Sequence, residues 1–215
     1  MPSQFLLLLV IIPAAVAFVN MFLPTILRKI LALLCSAYLL YMMVDAFFIA
    51  KVLDALAVNL GTFNLFGQTI FAVDQMALFT LAFIQLLSFI ILIFSLKGVD
   101  KSIQKSFFIF FPLTVAGCNG VILSDHAFSF IIFWGLSGMI LLLFALLGRT
   151  KDTPKSAFKT IMIIGGSDAL LIMGFVLLFV LKPAANWSLA NLGITLSDGT
   201  TFLAFLLLAI AAFAK

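Results

Sequence analysis

Several strongly polar residues interrupt the apolar stretches of this 215-residue chain: Asn20, Asp45, Gln85, Asn119, Asp168 and Lys215. In hydrocarbon such groups are costly unless they are paired or hydrated, so each is a candidate functional site. The chemistry open to them is proton exchange. Asp168 is the sharpest case. It lies eleven residues into an apolar run that begins at Ala157, about 16 Å at 1.5 Å per residue. That is near the middle of a hydrocarbon core about 30 Å thick. Gly165, Gly166 and Ser167 precede it, and small residues let a neighbouring helix come close. Asp168 either hydrogen-bonds an adjacent helix in one fixed protonation state or takes part in proton movement, and the second reading is adopted.

Lys215 ends the chain inside an apolar run that starts at Thr201, about 21 Å deep when counted inward from that residue. Backbone ends at such depth are tolerated only in protein or beside water. Either this last helix is shallow and Lys215 snorkels, or it is a broken helix whose second half belongs to another polypeptide; the second is expected. Lys159 sits two residues into the Asp168 run. Nine residues separate the two, so they project on opposite faces of one helix. Asp125 and His126 form a tight turn between two runs, where His126 could pass protons or simply be solvated. Asn119 lies far along its own run and is suited to a packing hydrogen bond. The candidate proton path is therefore Lys215, Asp168, Lys159, His126, Asp125 and Asn119.

Nothing in the sequence serves covalent or cofactor chemistry. There is no Cys/His metal cluster, no nucleophile beside a base, no phosphate-binding loop and no dinucleotide fingerprint. No catalytic residue, cofactor or metal is expected. Glutamate is absent, and the eight acids are all Asp, at 45, 54, 74, 100, 125, 152, 168 and 198. Cys35 and Cys118 stand alone in apolar runs, where a thiol fills space on a helix surface.

These residues need apolar elements to hold them, and the composition supplies little else. Hydrophobic residues make up 65% and charged residues 9%, against about 25% charged in a soluble domain. The mean hydropathy is +1.34. A soluble enzyme, a nucleic-acid binder, a disulfide scaffold and a disordered tail are all excluded. Apolar runs cover Phe5–Leu23, Ile30–Ala50, Gln75–Leu96, Ser106–Leu123, Ala127–Leu147, Ala157–Leu181 and Thr201–Ala214. Six are long enough to span a bilayer and the seventh is short. The expected fold is an all-α integral membrane protein, one transmembrane domain over residues 1–215. Its seven helices form a bundle, the last of them short or a half-helix.

Arg28, Lys29, Lys97, Lys101, Lys105, Arg149, Lys151, Lys155 and Lys159 fall in alternate links or at the adjoining helix ends, whereas the other side carries only Lys51 and Lys182. Basic residues collect on the cytoplasmic side. The N-terminus is therefore expected outside, in the cytoplasmic (inner) membrane, with Lys215 directed towards the cytoplasm. Between residues 51 and 74, Phe63, Leu65, Thr69, Phe71 and Val73 keep a two-residue alternation around Gly67, which predicts a small β-hairpin on the outer surface. Residues 183–199 read as a surface cap, and no internal repeat is evident.

From about Asn59 onward the chain resembles the N-terminal half of an antiporter-like membrane subunit. Such subunits occur in respiratory complex I, membrane-bound hydrogenases and multisubunit cation/proton antiporters, and the likeness is greatest to the large distal subunit type of complex I. The similar segments are LGTFNLFGQTIFAVDQMALFTL, NGVILSDHAFSFIIFWGLSGMILLLFALLG, SAFKTIMIIGGSDALLIMGFVLLF and FLAFLLLAIAAFAK. The resemblance implies that Lys215 matches the lysine at the break of helix 7 that takes up and releases a proton. It implies that Asp168 matches a helix 6 aspartate that helps set the lysine's charge.

Two positions depart from the family pattern. Gly135, after Phe133 and Trp134, stands where the family has a helix 5 glutamate, and Gly165 stands where the distal type has an arginine. A partner supplies the acid, Asp168 does its work, or the half-channel is degenerate. The function implied is that of a membrane subunit of a redox-driven proton- or cation-translocating complex, in the form of a split half whose remainder is a separate chain. Other membrane subunits and the lipid bilayer are the partners, with no nucleic acid. The alternatives are a non-pumping scaffold of such a complex or a membrane subunit for inorganic-carbon uptake.

Overall fold

A computed structural model describes residues 3–52, 61–65, 67–148, 152–181, 187–191 and 198–214. The fold is all-α with one small hairpin. Its helices are α1 (Ser3–Val19), α2 (Thr25–Val52), α3 (Gln75–Gly98), α4 (Gln104–Leu123), α5 (Ala127–Leu146), α6 (Thr153–Leu181) and α7 (Gly199–Ala214). Helices α2 to α6 are long and apolar enough to cross a bilayer, while α1 and α7 are shorter. At 16 residues, α7 is about 24 Å long, less than a hydrocarbon core. The chain is a multi-pass membrane protein, and Phe22, Phe94 and Phe213 are among its many exposed large apolar side chains.

Helix boundaries follow local chemistry. Asp74 caps α3 by accepting a hydrogen bond from the Ala77 amide at 2.7 Å, a usual role for Asp before a helix. Helix α2 starts five residues before the expected run, because the Pro24 carbonyl accepts the first helical bond, from the Arg28 amide. Helix α6 starts at Thr153, with Pro154 in its first turn, where a missing N–H has no consequence. These starts lie among basic residues that hydropathy alone assigns to links.

The chain divides into two compact units, residues 1–124 and 125–215. In the first, strands β1 (Gly61–Leu65) and β2 (Gln68–Val73) pair antiparallel. Gly67 takes φ 79° at the turn, a conformation that glycine adopts without steric penalty. The register shifts between Phe63 and Asn64, and the Phe63 and Phe71 rings lie 6.2 Å apart. The expected hairpin is present, packed against α1.

A second regularity in this unit was not expected from the sequence. Pro13 interrupts α1 and Pro112 interrupts α4. Each proline lacks an N–H, so the carbonyl four residues earlier loses its helical donor. Those carbonyls belong to Leu9 and Phe108. Asn119 Nδ2 donates to the Leu9 oxygen at 2.8 Å, and Asn20 Nδ2 donates to the Phe108 oxygen at 2.8 Å. Each asparagine comes seven residues after its own helix's proline, and each repairs the other helix. The spacing of proline, valine, alanine and asparagine is the same at 13, 16, 17 and 20 as at 112, 115, 116 and 119. Residues 9–20 and 108–119 thus form a short antiparallel repeat, which corrects the expectation of none. Ala17 and Ala116 are buried, and small residues of this kind allow the two backbones to approach.

Third parties close this lock. At the hairpin end, Gln85 Nε2 of α3 donates to Asn119 Oδ1 at 2.8 Å. At the other end, Arg28 Nε donates to the Asn20 carbonyl at 2.7 Å, and its Nη2 donates to the Leu23 carbonyl. Arg28 is buried and sits where the carbonyl end of α1 favours a cation. Lys29 Nζ donates to the Leu96 carbonyl at the end of α3, at 3.0 Å.

In the second unit, α6 packs on α5 and α7. Leu171, Phe175 and Leu178 form its core with Ala127, Ala204 and Ala211. A Cβ on Gly174 would lie 2.8 Å from Leu208 Cγ and 3.3 Å from the Ala204 carbonyl, so glycine is what lets α7 lie against α6.

Candidate functional site

Helix α6 has 29 residues, about 43 Å of helix, and Asp168 stands at its middle. The placement matches the sequence expectation, although α6 begins four residues before the apolar run. Asp168 is half-buried. Its Oδ1 accepts a hydrogen bond from Trp134 Nε1 of α5 at 2.8 Å. The bond fixes the orientation of the carboxylate towards α5. Trp134 is itself held by the Phe130 ring, 5.4 Å away between centroids, and Phe130 lies 6.1 Å from Phe175. The indole is therefore positioned by an aromatic stack shared between α5 and α6.

Ser167, next along α6, faces α7. Its hydroxyl donates to the Ala211 carbonyl at 2.9 Å, and both residues are buried. Ser167 and Asp168 thus make adjacent polar contacts to different helices, α7 and α5. Gly135 and Gly165, the two positions that depart from the family pattern, border open space where a Cβ would project.

The remaining candidates spread out. Lys159 is exposed on α6, on the face opposite Asp168, and the two do not meet. At the end of the unit where α5 begins, the Asp125 carboxylate accepts from Ser188 Oγ at 3.1 Å and from the Ala190 amide at 3.3 Å. His126 caps α5, its Nδ1 accepting from the Phe128 amide at 3.2 Å. An accepting Nδ1 puts the proton of a neutral imidazole on Nε2, which is buried without a partner among the described residues. Asp125 and His126 together fasten the start of α5 to residues 187–191, where Ala127 N also donates to the Trp187 carbonyl at 2.9 Å. Asn119 belongs to the other unit, and its amide bonds both Leu9 and Gln85. Asp45 is exposed on α2. Lys215 and most of the expected 183–199 cap lie outside the described residues. Among the described residues, no three His, Cys, Asp or Glu side chains gather as a metal site.

Sequence reasoning missed Trp134 and Gly174, and read Ser167 only as a small residue at a helix contact. The small-residue run before Asp168 signalled close packing, but nothing local linked Trp134 to Asp168 across 34 residues.

No family model matches the chain, and no curated protein sequence matches it. Solved structures do. A chain of the Mrp complex from Dietzia sp. DQ12-45-1b superposes with a TM-score of 0.82 at 17% identity, over 97% of this chain and 40% of that one. A chain of the archaeal membrane-bound sulfane sulfur reductase, a respiratory membrane complex, gives 0.80 at 16% identity, over 97% and 44%. A chain of respiratory complex I from Thermus thermophilus gives 0.71 at 16% identity, over 96% and 42%. The fold is the one shared with these chains of membrane complexes. The fold that the sequence resemblance implied is thereby shown, and the chain spans less than half the length of each of these similar chains.

Proposed function

We propose that this chain is a membrane subunit, or half-subunit, of a redox-driven proton- or cation-translocating complex, with Asp168 and Lys215 in its proton path. The observation that carries the reading is the Asp168 carboxylate at the centre of α6, held by the Trp134 indole. An ionisable group at mid-membrane has a functional role by default. The fold shared with chains of respiratory and Mrp complexes supports the setting.

In this reading Lys215 binds and releases the proton, and Asp168 biases that equilibrium. An ammonium withdrawn from water responds strongly to a nearby carboxylate, because low dielectric amplifies the interaction. Asp125 and His126 serve access at one end of the second unit and Lys159 at the other, while Asn119, bonded to Leu9 and Gln85, holds helices together in the first unit. The partners are other membrane subunits of such a complex. The N-terminus faces outward across the cytoplasmic membrane, on the distribution of Lys and Arg.

Gly135, where the resemblance expects glutamate, favours a second reading: a scaffold that assembles such a complex without conducting protons. Affinity purification of the intact complex, followed by ion transport in proteoliposomes, separates the two. Pumping lost in Asp168→Asn and Lys215→Ala, with assembly retained, supports conduction. Unchanged pumping in both, with assembly lost on deletion of the chain, establishes the scaffold.

A further inference from the structure

Basic residues from two separate segments meet at one end of the first unit. Arg28 and Lys29 lie in the first turn of α2, and Lys97, Lys101 and Lys105 line the connection from α3 to α4. Direct contacts join the two segments. Lys29 Nζ donates at 3.0 Å to the carbonyl of Leu96, the residue before Lys97. Asn20 Nδ2 reaches the Phe108 carbonyl, near the start of α4, at 2.8 Å. The one acid within residues 20–29 and 96–108 is Asp100. A preference for basic residues on one side of a membrane explains the sign of these groups, but not their convergence without counter-charges. Arg28 is buried, and its hydrogen bonds go to carbonyls rather than to a carboxylate. Such a charge, little screened by water, acts strongly on its surroundings. Lys97, Lys101 and Lys105 are exposed, and no ion pair among the described residues uses them.

Helix α3 adds an apolar surface that ends on this rim. Leu81, Gln85, Ser88, Leu92 and Ser95 are buried, whereas Phe83, Leu87, Ile90 and Phe94 are exposed. The exposed set recurs every three or four residues, so it forms one stripe along the helix, and Lys97 continues it. From Leu87 to Lys97 the stripe runs ten residues, about 15 Å. That is one leaflet of a hydrocarbon core about 30 Å thick. Positive charge at the end of a leaflet-long apolar stripe matches the two parts of a lipid. We propose that this rim binds an anionic phospholipid, its phosphate among Lys97, Lys101 and Lys105 and an acyl chain along Phe94, Ile90 and Leu87. Basic clusters beside membrane helices hold anionic headgroups in this way. The site is independent of the proposed proton path.

The test titrates the purified full chain, in neutral detergent, with phosphatidylglycerol or with phosphatidylcholine of the same acyl chains, and counts bound lipid by native mass spectrometry. Phosphatidylglycerol should bind at least about tenfold more tightly, since each lysine near an anionic headgroup contributes about a fivefold change. Lys97→Gln, Lys101→Gln and Lys105→Gln should each weaken it about fivefold and leave phosphatidylcholine binding unchanged, which also shows that the variants are folded. Lys155→Gln, on the second unit, should have no effect. Inorganic phosphate at equal concentration should not displace the lipid, because it lacks the acyl chain. Equal affinity for the two lipids overturns the proposal, as do three lysine variants that bind like the parent. A loss in Lys155→Gln as large as in Lys101→Gln also overturns it, by showing attraction to overall charge. Displacement by phosphate would make the rim a site for soluble anions instead.

Discussion

Both units of this chain bury polar side chains between helices, and they do so in different ways. In residues 1–124 two buried amides answer a backbone need, Asn119 and Asn20 bonding the carbonyls left bare by Pro13 and Pro112, and the buried Arg28 donates to two carbonyls just after α1. Their placement follows from helix chemistry, since an unmatched carbonyl in lipid is costly. In residues 125–215 the polar group at the middle of α6 is a half-buried carboxylate, and neither α5 nor α7 contains a proline that would leave a carbonyl bare opposite it. Trp134 bonds Asp168 itself, and the adjacent Ser167 ties the helix to α7. A polar residue in a membrane helix thus has a structural explanation when a proline in the facing helix frees a carbonyl opposite it. Asp168 lacks one, which is why it draws the functional reading.

That contrast can be strained from either side. The largest stability effect is expected at Arg28, whose guanidinium donates to two carbonyls at the end of α1. Arg28→Leu should lower unfolding stability by about 3 kcal/mol, since bonds to a charged donor contribute about 1.5–3 kcal/mol each. Arg28→Lys should recover only part of it, because the planar fork is lost. Gly174→Ala comes next. Its methyl group meets Leu208, and overpacking of this kind costs about 1–3 kcal/mol. Gly165→Ala, facing open space on the same helix, should be neutral or stabilising by up to about 1 kcal/mol. Denaturation of the purified protein in mixed micelles checks all four variants.

A smaller effect is more diagnostic. Asn119→Ala should cost about 0.6–1.7 kcal/mol, as interhelical hydrogen bonds in membranes do. In a Pro13→Ala background the cost should fall by about half, because residue 13 then offers Leu9 its own amide while Gln85 still loses a partner. A double-mutant cycle measures that coupling directly. Equal costs in both backgrounds would remove the proline from the explanation. The same cycle for Asn20 and Pro112 should behave alike if the repeat is a true one.

Much of this was legible beforehand. Hydropathy located the seven helices, and alternation around Gly67 located the hairpin. Asp168 stood out as a carboxylate within a span. What escaped was of two kinds. Helix starts at Thr25 and Thr153 lie in polar sequence whose order comes from a Pro24 carbonyl and a first-turn Pro154, features that hydropathy does not register. Pairings such as Trp134 with Asp168 depend on which helices are neighbours. The Pro–Asn lock is an intermediate case. Its spacing of seven occurs twice in the sequence and becomes meaningful once a proline is read as a carbonyl in need of a donor.

The most direct test compares the two units in one assay: ion translocation per assembled complex for Asp168→Asn and for Asn119→Ala. The account predicts that translocation is lost in the first and retained in the second, even though Asn119→Ala is the less stable protein. Retained translocation in Asp168→Asn, or its loss in a fully assembled Asn119→Ala complex, would contradict it.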